Sequence, residues 1–137
     1  MHALAVIVTQ LVISADNVAG QFAASPPTCP GDTITFRCTI GGDSTGMTIW
    51  RVGGSNLDMC VLFHGRTASS TCGPGNHFVA VPETGFGTNA TSFSSVLSRT
   101  ATRASDGTQI GCLGLSGGGH LVHMDEVGES IIHVLGQ

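Results

Sequence analysis

Between Gly31 and Cys112 the chain carries two alternating apolar segments that each end on a cysteine, GDTITFRC (Gly31 to Cys38) and DGTQIGC (Asp106 to Cys112). The only tryptophan, Trp50, stands between them at the end of MTIW. Ile34, Phe36, Cys38 and Ile40 alternate with Thr33, Thr35, Arg37 and Thr39, the period of a strand with one buried and one wet face. Twenty glycines, many Ser and Thr and only 10% charged residues favour short strands and turns over helices, so the chain reads as all-β.

Cys38, Trp50 and Cys112, with Asp106 six residues before the second cysteine, resemble an immunoglobulin domain over roughly Cys29 to Gly136. The resemblance implies a two-sheet Greek-key sandwich. Cys38 and Cys112 would be the disulfide pair of strands B and F, and Trp50 the strand C tryptophan packed on it, with Ile34, Phe36 and Ile110 in the core. The separation of 74 positions from Cys38 to Cys112 leaves room for C′, C″, D and E strands, as in variable-type (V-set-like) domains. Two features depart from the family. Ile110 replaces the tyrosine two residues before the second cysteine, which implies a looser E to F connection. The Phe-Gly-x-Gly bulge of rearranging antigen receptors is absent, which argues against an antibody or T-cell receptor chain.

At 137 residues there is room for one domain. The net charge is −4, and the five arginines (37, 51, 66, 99 and 103) are scattered, which argues against a nucleic-acid partner. Leu4 to Ile13 is an apolar run of signal-peptide length, too short to span a bilayer, and small residues follow it. Cleavage is expected after Ala15 or Gly20, giving a signal peptide over 1–20, one domain over 21–137, and a secreted or extracellular location. No later stretch reads as a transmembrane helix. Five cysteines fit that oxidising compartment. Of the three outside the core pair, Cys60 and Cys72 are the favoured partners and Cys29 with Cys72 the next; the odd thiol is free or bridges to another chain. Asn89-Ala90-Thr91 is a glycosylation sequon in a loop setting.

The expected strands are an irregular first one over Ala23 to Pro30, B over Thr33 to Ile40, C over Met47 to Val52, C′ over Met59 to His64 and D over His77 to Val81. E follows over Phe93 to Thr102, F over Thr108 to Leu115 and the last strand over Glu129 to Leu135. Ser116 to Gly128 reads as a long connection. Placing Leu97 inward also turns Arg99 inward, so either the strand bulges or Arg99 sits at an open end beside an acidic partner.

Gly114-Leu115-Ser116-Gly117-Gly118, followed by Asp125 and His133, matches a hydrolase pattern. That pattern needs a helix after the serine, and three successive glycines are a poor helix start. His120, His123 and Glu126 have metal-like spacing only on a helix; on a strand the histidines face opposite ways. No metal, cofactor or catalytic role is expected. The expected function is extracellular recognition or adhesion, with a protein ligand or another immunoglobulin-like domain as partner, a second copy included. Strand parity turns Met47, Ile49 and Arg51 of C and Leu113 and Leu115 of F outward, an unusually apolar set for a wet face. The alternative is a secreted binder or immune-defence effector using the loop from Ser116 through Gly117, Gly118 and His120.

Overall fold

The structure, a computed structural model, describes residues 20–41, 44–53, 58–73, 75, 77–116 and 123–136. Residues 1–19 of the expected signal peptide therefore lie outside the described residues, and only Gly20, its last, is described. Among the described residues nine strands form: β1 (Gly20–Ala23), β2 (Thr33–Gly41), β3 (Ser44–Val52), β4 (Asp58–Phe63), β5 (Ser70–Thr71), β6 (Val79–Thr84), β7 (Ser92–Thr100), β8 (Gln109–Ser116) and β9 (His123–Ile131). They build two antiparallel sheets, β1-β2-β7-β6-β5 and β4-β3-β8-β9, in an immunoglobulin-like sandwich.

The alternation in β2 puts Ile34, Phe36, Cys38 and Ile40 between the sheets, each at most 1% exposed. Cys38 reaches Cys112 on β8 across the sandwich, with Cα atoms 6.4 Å apart. Cys60 pairs with Cys72, Cα atoms 4.4 Å apart, and Cys29 is free and exposed. Trp50 stands in register between Cys112 on β8 and Cys60 on β4, so a half-cystine of each disulfide flanks it. Its indole N–H donates to Ser95 Oγ at 2.9 Å, which satisfies the one polar atom of a fully buried ring. Phe22 closes the core at β1, its ring 6.0 Å from Phe36 and 6.3 Å from Trp50.

Four expectations need correction. The first strand precedes the prolines rather than containing them: β1 pairs with β2 from Gly20↔Ile40 to Ala23↔Arg37. The Pro-bearing segment after it leaves only an isolated parallel bridge, Thr28↔Val134. The D strand is β6, starting two residues past His77. The last strand starts at His123, not Glu129, because β8 and β9 form a hairpin whose pairing runs from Ser116↔His123 to Gln109↔Ile131. Within it Cys112 faces Gly128 and Leu113 faces Glu126; the extra residue, Val127, bulges and packs against the core. Fourth, the E to F connection is tied down without a tyrosine. A single 3-10 turn, Arg103–Ser105, carries a reciprocal cap in which Ser105 Oγ donates to the Thr102 carbonyl (2.6 Å) and accepts from the Thr102 N–H (2.9 Å). Asp106 then accepts the Val134 N–H at 2.8 Å.

Arg99 resolves without a bulge, since β2 and β7 stay in register from Thr33↔Thr100 to Gly41↔Ser92. Its guanidinium lies 5.3 Å from the Phe78 ring centre and bonds the Thr100 carbonyl at 2.9 Å, half-exposed at the sandwich end.

Candidate functional site

The parity that buries Trp50 and Cys112 also fixes the outer face of β4-β3-β8-β9. Residues directly opposite in an antiparallel pair share a face. Two rows follow from the register, Val61, Ile49, Leu113 and Glu126, and Met59, Arg51, Gly111 and Glu129; beyond a register shift between β3 and β8, the pairs Phe63 with Met47 and Leu115 with Met124 continue the same face. Those two pairs and the row of Ile49 hold one charged side chain, Glu126, among eight. Met59, Phe63 and Met124 are 47%, 48% and 54% exposed, along three sides of this apolar field.

Ile49 and Leu113 face outward and pair directly across β3 and β8, yet they are buried, at 6% and 8% exposure, and lie outside the inter-sheet core. The register surrounds them on the same face with Met47, Arg51, Val61, Leu115 and Glu126. They form the floor of the face rather than its accessible surface.

Arg51 crosses the second row. Its guanidinium reaches Glu126 (3.4 Å) and Glu129 (3.5 Å) on β9, two strands away. Gly111 lies beneath it: a Cβ there would stand 3.1 Å from the Arg51 guanidinium nitrogen, so a larger residue on β8 would require the guanidinium to shift. Charge on the face is thus paired at one border, and apolar surface fills the rest. On the other sheet the exposed hydrophobics are Val79 and Val81, neighbours on the outer face of β6. There Ser98 and Thr71 flank Val79, and Arg37 forks onto Glu83 at 2.8 and 2.9 Å. Those bonds, with one from Ser94 (2.9 Å), hold the Glu83 carboxyl below its usual range.

At the end of the sandwich where β3 begins and β4 finishes, His64 is buried. Its ring stacks on Phe93 at 3.8 Å and meets the edge of Phe86 at 5.2 Å. Nε2 shares a hydrogen bond with Thr48 Oγ1 (2.9 Å), while Nδ1 is buried with no partner. Burial lowers its pKa to about 4, because a charged ring would be desolvated among aromatic walls.

Of the sequence-expected binding residues, Met47, Ile49, Arg51, Leu113 and Leu115 share the outer face. Ser116 ends β8 opposite His123, and Gly117, Gly118 and His120 lie outside the described residues. The serine of the hydrolase pattern therefore sits on a hairpin strand, with Asp125 opposite Gly114 and His133 exposed past β9. Glu126, one of the three metal-like positions, is held by Arg51. Among the described residues no group of three His, Cys, Asp or Glu side chains is placed to hold a metal. The sequence reading missed Met59, Val61, Phe63 and Met124 as members of the face. The first three were recoverable, since Cys60 and Leu62 facing inward turns them outward; Met124 required knowing where β9 begins.

No protein-family model matches the chain. A search of curated proteins likewise finds no match.

Proposed function

We propose that this chain is a variable-type immunoglobulin-like domain that acts outside the cell, without catalysis, by binding a protein partner through the outer face of β4-β3-β8-β9. The observation that carries the reading is the composition of that face. Three of the seven large exposed hydrophobics among the described residues, Met59, Phe63 and Met124, stand around a floor of Ile49 and Leu113. A sheet face meant only for water carries Thr, Ser, Lys or Glu there; a contiguous apolar field with polar groups at its border has the anatomy of an interface. A flat partner suits it best, such as the sheet of another immunoglobulin-like domain, a second copy included.

The variable type is supported by β4 lying beside β3 and by a further short strand, β5, before β6; here β5 joins the opposite sheet. Two disulfides support an oxidising location. Among the described residues no helix is long and apolar enough to cross a membrane.

The test uses the exposed residues and spares the floor. Phe63→Ser/Met124→Ser should melt like the parent. It should weaken self-association in sedimentation, or binding to cells of the source tissue, by about 1–2 kcal/mol per side chain. A double variant that folds normally and still associates or binds like the parent overturns the sheet-face reading.

A further inference from the structure

We propose that Asn89 is an N-linked glycosylation site whose donor is a lipid-diphosphate-linked oligosaccharide. This rests on the extracellular reading above. Four asparagines occur in the chain, at 17, 56, 76 and 89, and only Asn89 has a hydroxyl residue two positions on, Thr91, with a non-proline between.

The fold adds what the tripeptide cannot show. Asn89, Ala90 and Thr91 are all exposed and sit between β6 and β7, outside either ladder. The turn is held without Asn89: Thr88 Oγ1 donates to the Gly85 carbonyl at 2.8 Å and accepts the Ala90 N–H at 3.1 Å. Within the described residues no hydrogen bond engages the Asn89 amide, so modifying it costs the fold nothing. Gly87 N–H donates to the His64 carbonyl (2.7 Å), which anchors the turn at the end of the sandwich where β4 and β8 finish. β6 and β7 belong to the five-stranded sheet, so a bulky glycan would crown that end from the opposite layer and leave the apolar face uncovered.

In the reaction the Asn89 amide nitrogen forms a bond to the anomeric carbon of the donor sugar. The bond from that carbon to the lipid diphosphate breaks, the lipid diphosphate leaves with its electron pair, and the amide gives up one proton.

The full chain would be expressed in a eukaryotic secretory host, once with its own N-terminus and once behind a strong heterologous leader, with cell-associated and secreted fractions both read. The leader-routed parent should show a single oligosaccharide increment, removed by a peptide N-glycosidase that leaves aspartate at position 89. Asn89→Gln and Thr91→Ala should lose it completely, and Thr91→Ser should keep it. A leader-routed parent without the increment, or an increment that persists in Asn89→Gln, overturns the proposal. If only the leader-routed chain is modified, the site stands and the reading of residues 1–20 as a signal peptide fails.

Discussion

His64 is a titratable side chain walled in by Phe86 and Phe93, and its depressed pKa has a definite consequence for stability. Between about pH 4 and the ordinary 6.5 the unfolded chain holds a proton on this ring and the folded chain does not. Stability from the neutral ring is therefore complete above 6.5 and drains away as pH falls toward 4. The loss should be on the order of 2 kcal/mol, short of the full displacement because water near the sandwich end screens the charge. Melting temperatures across that range should fall for the parent and stay flatter for His64→Gln, which keeps a polar partner for Thr48; equal slopes would refute the assignment. A second residue-scale test concerns Gly114. A Cβ there would stand 2.9 and 3.0 Å from two carbons of Ile40, a fully packed core side chain. Gly114→Ala should cost about 1–3 kcal/mol by overpacking, measured by chemical denaturation.

At the scale of elements, β3 and β8 supply the floor of the outer face, and their exposure changes how that face can be probed. Ile49 and Leu113 are outward by parity but buried by their neighbours, so Ile49→Asp/Leu113→Asp should destabilise the domain. Burying unpaired carboxylates costs at least about 3 kcal/mol for the pair. A melting temperature unchanged in that variant would mean the floor is open to water after all. The connection between β7 and β8 offers another test. Ser105→Ala removes both hydrogen bonds of the Thr102–Ser105 cap, with a loss of about 1 kcal/mol expected in denaturant unfolding.

For the whole molecule, the two disulfides close loops of 74 and 12 residues. In the chain-entropy account the longer loop stabilises by about 4 kcal/mol and the shorter by about 3 kcal/mol. Paired alanine substitutions should reproduce that order, and non-reducing peptide mapping should return Cys38 with Cys112 and Cys60 with Cys72. The sequence by itself determined the all-β class and β2 with its buried face, because alternation along one strand is a local property that survives without knowledge of neighbours; the Cys38, Trp50 and Cys112 core came from the resemblance to immunoglobulin domains. The sequence also placed Met47, Ile49, Arg51, Leu113 and Leu115 on one outward face by the same rule of alternation. Where β9 begins was decided only by tertiary structure, since a Gly- and His-bearing segment becomes a strand when β8 offers it a ladder. Val127 turns toward the core through a bulge that no local pattern announces. Burial of Ile49 and Leu113 likewise depends on side chains from four strands meeting over them, and the Arg51 bridge to β9 depends on β8 lying between the two strands. Parity along a chain says which way a residue points; only the assembled sheet says whether water can reach it.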